Sequence, residues 1–333
     1  MEANKPRVFY IDVIRAFAIL TIVVCHGMMG TVSEKWASFV GLFIGSASLF
    51  FMTSGALIFP VAKAGPFLRR RLTSFLPQFV IWSLIYVLLE YMSSGDGAEA
   101  TKQVGWFLFS PTFSVGWFCY AMTGLCFFAP IISPWLAGAG KRAVEWFLLA
   151  WLLSGLIPVA QLYTYMRPLP EQLLGPFYGF MGYMVAGYYL MRWPIFSRPR
   201  RERLAFWAVA ICVGVFIAGR FYFTLFKYGV HQPITYDLSI NIMLMCMLWF
   251  ALCQRVRKAP RIVTAAVTMV SVCSLEIYLC HIAWKRYVVD VLGLDAWLSV
   301  ILLLVLSVGT ALALRVVWHR FTRPLLVRMR IIR

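Results

Sequence analysis

Charge is scarce in this chain, and acidic charge scarcest. Aspartate and glutamate together number 13 in 333 residues, and charged residues of both signs make up 13%. A soluble domain carries about a quarter charged residues, so a surface facing water all round is excluded and lipid must be the main solvent. Also missing are GxxxxGK[ST], GxSxG, HExxH and a GxGxxG opening a helix. ATP-driven transport, serine hydrolysis of the soluble kind and zinc proteolysis therefore lose support. The eight cysteines, at 25, 119, 126, 212, 246, 253, 273 and 280, all fall in apolar segments and form neither a CxxC nor a Cys/His cluster. They read as small hydrophobes rather than as a disulfide framework or a zinc site, and no metal is expected.

What is present in quantity is apolar residue, at 62%. A crossing helix needs about 20 apolar residues. The chain has room for about ten crossings and short loops, so it reads as one all-α polytopic membrane domain over 1–333 with no soluble appendage. The apolar run from about Phe9 to Met29 is too long for the core of a signal peptide and carries Arg15 and His26; it reads as the first membrane helix. Apolar runs between polar breaks place helices at about 9–29, 38–60, 75–92, 113–132, 144–161, 174–191, 204–226, 237–254, 263–284 and 297–317. The segment SSGDGAEATKQ reads as a polar loop, and 263–284 as one continuous helix.

The net charge of +18 is not spread as a nucleic-acid surface would be. Lys and Arg gather in short clusters between apolar runs, 23 on one side of this map against 6 on the other, with Arg15 and Arg220 inside helices. Such asymmetry marks the first side as cytoplasmic and sets both termini there. No nucleic-acid partner is expected.

Ionisable groups inside a bilayer are costly and serve as functional candidates by default. Those within the spans are Asp12, Arg15, His26, Arg220, Glu276 and His281. Arg15 and His26 are eleven residues apart, which on a helix leaves them roughly 20° from full register and about 16 Å apart along the axis. Asp12 lies one turn before Arg15, where it can pair with the guanidinium. Snorkelling of Arg15 and an interhelical hydrogen bond for His26 are the structural alternatives. In SLEIYLCHIAW, Ser274 and His281 share a helical face with Tyr278 close to it, while Glu276 points about 140° away from His281. Two histidines and a carboxylate converging from the first and ninth helices fit a proton-transfer site; packing between helices is the competing reading. The adjacent Cys25-His26 and Cys280-His281 point about 100° apart and form no nucleophile–base pairs. The basic run Arg69-Arg70-Arg71 suits either phosphate recognition or anchoring to anionic lipid. Ser54-Gly55 fits either a close helix crossing or access to the backbone.

These residues fall in a recognisable order. YIDVIRAFAILTIVVCH resembles the opening motif of the acyltransferase-3 family of bacterial membrane acyltransferases: an aromatic, an Asp, an Arg three residues later, small residues and a His. LFFMTSGALIF is similar to that family's phenylalanine-rich SG segment, and GPFLRRRLTSFLP to its basic loop ending in proline. SVGWFCYAMTGL and SVCSLEIYLCHIAW resemble its later Trp-Phe and Ser–Tyr–His segments. Many members carry two arginines three apart before the loop proline; here Arg71 fits the first place and Ser74 stands at the second. The resemblance is to stand-alone members, among them an O-acetyltransferase of enterobacterial common antigen.

The resemblance implies an O-acyltransferase of the bacterial inner membrane. It would move an acyl group, usually acetyl, from cytoplasmic acyl-CoA to a hydroxyl of a cell-surface glycan or lipid-linked sugar. On that reading His26 is general base or transient acyl carrier, and Arg15, held by Asp12, positions the donor. Glu276 and His281 orient the acceptor. Arg69, Arg70 and Arg71 receive the CoA phosphates, and Trp117, Tyr278 and Ser274 contact substrate. The alternative is a glycolipid transporter or flippase without chemistry of its own.

Overall fold

The computed structural model describes residues 7–28, 46–107, 110–158, 173–226, 237–317 and 320. Among them there is no strand, and the helices account for most of the chain. They are α1 (Phe9–Met28), α2 (Ser46–Ile58), α3 (Ala64–Ser94), α4 (Gly97–Trp106), α5 (Trp117–Gly138), α6 (Lys141–Ser154), α7 (Met181–Arg192), α8 (Arg200–Phe226), α9 (Ile240–Cys253), α10 (Arg261–Val272), α11 (Ser274–Lys285) and α12 (Ala296–Val317). α1 lies at the centre, packed on α2, α9, α10, α11 and α12. Its Ile11, Ile14, Ala18, Ile19, Ile22 and Val23 are buried, so the span is enclosed by protein. α3 is the opposite case. Ile81, Leu84 and Leu88 recur at helical spacing and are exposed, as a lipid-facing stripe should be.

The expected tally of about ten full spans meets a difference of length. Among the described residues four helices, α1, α3, α5 and α12, are long and apolar enough to cross a membrane, or five if α10 and α11 count as one bent span. α2, α6, α7 and α9 have only 13, 14, 12 and 14 residues, or about 18–21 Å of helix, less than the ~30 Å hydrocarbon layer. The expected start of the second helix, at 38–45, lies outside the described residues.

Glycine lets two of the short helices touch backbone to backbone. A Cβ on Gly55 would fall 2.0 Å from the Met184 carbonyl oxygen, and one on Gly187 would fall 1.9 Å from that of Met52. No side chain fits at either place, so α2 and α7 cross at the closest approach a pair of helices can make. Thr53 and Ser54 are thereby held against the centre of the bundle.

Three further differences from the sequence map have local causes. The basic run at 69–71 is helical, because α3 starts at Ala64 and runs through Pro77 to Ser94. The loop expected at 93–103 contains α4: the Asp96 carboxylate accepts from the Ala98 and Glu99 amides at 2.9 and 3.0 Å, which satisfies two of the free N–H groups at the helix start. The ninth helix is broken at Cys273, and its halves meet at 70°.

Candidate active site

The break at Cys273 is where the site begins. A helix interrupted inside a membrane exposes backbone groups that need partners. Here the Val272 carbonyl accepts from Arg315 Nη2. On one side of the break Ser271 Oγ donates to Asp12 Oδ1 at 2.7 Å. On the other, Arg15 Nη2 donates to Ser274 Oγ at 3.1 Å. Asp12 and Arg15, one turn apart on α1, thus grip the two halves of the bend separately.

This arrangement corrects the expected pairing of Asp12 with Arg15. The Asp12 carboxylate is occupied by Arg7, whose Nε and Nη2 donate to it at 2.6 and 2.8 Å. A two-point guanidinium fork outcompetes a more distant one. The hydrogen bond to Asp12 also raises the Arg7 pKa, since the carboxylate favours the charged guanidinium. Glu276 pairs through Oε1 with Arg315 at 3.1 Å and is not joined to His281. Its other oxygen, Oε2, is buried without a hydrogen-bond partner.

The two histidines do meet. His26 Nδ1 lies 2.9 Å from His281 Nε2, with the ring planes 28° apart. His281 is fully buried, and its Nδ1 lies 2.7 Å from the Tyr278 carbonyl oxygen. A carbonyl oxygen only accepts, so His281 Nδ1 carries the hydrogen. In the neutral ring its Nε2 then has the lone pair, and His26 Nδ1 must donate to it. The chain of assignments leaves His26 Nε2 without a hydrogen: a lone pair on a ring whose orientation is fixed from behind.

The turn that holds His281 is itself braced. Tyr86 of α3 donates its hydroxyl hydrogen to the Leu279 carbonyl at 2.8 Å and accepts from the Ala283 amide at 2.9 Å. Those are the two groups an α-helical bond would join, so the hydroxyl sits in the ladder around His281. Insertions of this kind perturb helices, and α11 passes into a π-helical stretch over Arg286–Val291.

A cavity of about 190 Å³ reaches Arg15 from the Arg71 end of α3. Arg71, Ser74, Thr53 and Ser54 lie along it, Arg15 and Ser274 meet it deeper, and Phe50, Phe118 and Met122 supply apolar wall. Arg69 and Arg70 are exposed and do not line it. Tyr278 also lines it, but its hydroxyl hydrogen goes to the Val115 carbonyl at 2.9 Å, which leaves the ring and the remaining oxygen lone pair for a ligand. Trp117 is not on the cavity; it packs against Phe180 with centroids 5.4 Å apart, and its neighbour Phe118 takes the place expected for it. Neither histidine lines the cavity. Its wall at Tyr278 stands one helical turn from His281, and the carbonyl of that same Tyr278 holds the His281 ring. The side chain of Arg220 lies outside the described residues.

Arg7, Ser271, Arg315 and Tyr86 were not singled out in the sequence. Arg7 lies before the first span and Arg315 near the end of the last, where basic residues are ordinary. Nothing local distinguishes Ser271 or Tyr86 from their neighbours.

Among curated proteins and among solved structures, none matches the chain. A family model described as an acyltransferase domain matches residues 8–316. It covers α1 through α12 and every group described above except Arg7, and it does not single out the enterobacterial common antigen enzyme among the members. The chain is a membrane protein that belongs to the acyltransferase-3 family.

Proposed function

We propose that the protein transfers an acyl group, most simply acetyl, from cytoplasmic acyl-CoA to a hydroxyl of a cell-surface glycan or lipid-linked sugar. It would do so in the bacterial inner membrane, with about ten crossings and both termini in the cytoplasm. The 23-to-6 partition of Lys and Arg supports that orientation. The observation that carries the chemistry is the hydrogen-bonded series Tyr278 carbonyl, His281, His26, because it ends in a lone pair on His26 Nε2.

In this reading the donor enters beside Arg71, with Arg69 and Arg70 outside to meet the phosphates, and the pantetheine arm follows the cavity toward Arg15. The apolar wall of Phe50, Phe118 and Met122 suits a slender chain, and Arg15 and Ser274 supply donors near its tip. To reach His26 the thioester has to pass the Tyr278–Phe118 layer that walls the cavity. His26 Nε2 takes the acceptor hydroxyl proton as that oxygen forms its bond to the thioester carbon. The imidazolium so formed is steadied by the His281 Nε2 lone pair. The C–S bond breaks, the CoA thiolate leaves, and the proton on His26 returns to it, so His26 ends neutral and the products are ester and CoA thiol. Arg15, on the cavity and hydrogen-bonded to Ser274, positions the donor arm rather than the reacting carbonyl.

The test is to incubate purified protein with labelled acetyl-CoA and membranes that contain acceptor. An acyltransferase releases free CoA in step with labelled ester. A glycolipid carrier without chemistry releases none, and that result would replace this reading with the transport one.

A further inference from the structure

A second cavity lies at the other end of α3. From Arg71 to Ser94 is 23 residues, or about 35 Å of helix, enough to pass from one headgroup layer to the other. There α4 and the turn at 110–112 enclose a cleft of about 310 Å³. Glu99, Lys102, Gln103, Trp106, Ser110 and Thr112 line it. Lys102 and Glu99 pair with each other at 3.2 Å, so the cleft offers no net charge. Trp106 is exposed and presents an amphipathic ring at the depth where membrane lipids carry their polar heads. Gln103 Oε1 is buried and has no hydrogen-bond partner.

Thr112 also lines a narrower groove of about 70 Å³, together with Val80, Ser83, Leu84, Val104 and Phe107. Val80, Leu84 and Val104 are exposed, so this groove opens sideways onto the acyl chains. Ser83 within it is 1% exposed, and its hydroxyl has no partner. A buried hydroxyl without a hydrogen bond is destabilising, and a serine in an apolar helix ordinarily turns back to a carbonyl of the preceding turn. The two cavities share the wall at Thr112, whose own hydroxyl donates to the Ser83 carbonyl at 3.4 Å. One is polar, neutral and aromatic; the other is apolar and faces lipid. Together they match a molecule with a hydroxyl-rich uncharged head and a hydrocarbon tail.

The geometry points to this cleft and the groove beside it as a binding site for a membrane lipid with a sugar head group. Taking that lipid as the acyl acceptor rests on the acyltransferase reading; the binding site stands on the cleft alone. The cleft is also tied to the histidines. Phe113, next to Thr112, stacks on Tyr86 with centroids 4.3 Å apart and planes 15° apart, and the Tyr86 hydroxyl sits in the turn that holds His281. A head group seated at Thr112 therefore bears on the same wall that positions the base.

The test uses the full chain in nanodiscs and a decyl glucoside with a diazirine in its tail, beside a phosphocholine-headed probe of the same chain. After illumination the glucoside should label residues 80–87 and 104–107 about tenfold more than its partner at equal concentration, a difference set by the head alone. Trp106→Ala, Gln103→Leu and Ser83→Ala should each reduce that labelling several-fold, and Trp106→Phe should keep most of it. Equal labelling by both heads, or labelling unmoved by Trp106→Ala and Gln103→Leu, reduces the site to a greasy groove beside an interfacial anchor and overturns the proposal. Release of CoA is followed in the same samples. Glucoside labelling without acyl transfer removes the acyltransferase reading and keeps the site; transfer without selective labelling does the reverse.

Discussion

Replacing His281 separates its role from that of His26. In His281→Phe the His26 Nδ1–H loses the acceptor it now has at 2.9 Å. In the neutral state that bond is worth about 1 kcal/mol net. When His26 takes a proton the bond becomes charge-assisted and strengthens to about 1.5–3 kcal/mol. The transition state therefore loses about 0.5–2 kcal/mol more than the ground state, which corresponds to a fall in kcat of roughly 2- to 30-fold. The KM for acyl-CoA should not change, since His281 does not line the donor cavity. His281→Gln keeps a carbonyl oxygen able to accept and should recover part of the rate. The assay is steady-state release of CoA by detergent-purified variants, with thermal unfolding as the check on folding. Full activity in His281→Phe would show that nothing behind His26 sets its tautomer, and the assignment of the lone pair to Nε2 would fall.

Other perturbations reach other parts of the site. Arg71→Ala removes one charge-assisted contact at the cavity mouth, worth about 1.5–3 kcal/mol, and should raise the KM for acyl-CoA at least about tenfold with a smaller change in kcat; unchanged donor kinetics would place the cofactor elsewhere. Glu276→Gln weakens the hold on Arg315 at the bend and should lower the unfolding temperature while leaving both KM values alone; a rise in acceptor KM would return Glu276 to the substrate site. Gly187→Ala forces α2 and α7 apart, because the new methyl would meet the Met52 carbonyl. Overpacking of this kind costs about 1–3 kcal/mol or more, visible as lower yield of folded protein in a fluorescence-detected size-exclusion profile, and a normal profile would mean the crossing is looser than described.

The first span was the most legible part of the molecule. Eleven residues place Arg15 and His26 on one face, and the described α1 matches the expected limits to within a residue. The convergence of His26 and His281 from the first and ninth helices was one of two readings of those residues and is realised as a direct contact. The break at Cys273 was not legible, since SVCSLEIY holds neither proline nor glycine. What sustains it is tertiary: Arg315, Asp12 and Arg15 come from two other helices. The Asp12 pairing was misjudged for a related reason, because its partner Arg7 precedes the helix and enters only when the chain folds back. α4 did leave a trace, an Asp followed three residues later by Glu, which is a helix-start pattern hidden within a polar stretch. Gly55 announced a close crossing, but a single glycine does not name its partner, and Gly187 lies 132 positions further on, within a different helix.

Everything chemical here depends on one nitrogen, His26 Nε2, accepting the acceptor's proton. The most direct trial is a single-turnover experiment with labelled acetyl-CoA and acceptor membranes, run on the unaltered protein and on His26→Ala matched for folding and membrane insertion. General-base catalysis is worth about 10²- to 10⁴-fold, so the variant should form labelled ester at least about a hundredfold more slowly. Ester formed at the unaltered rate by His26→Ala would contradict the account.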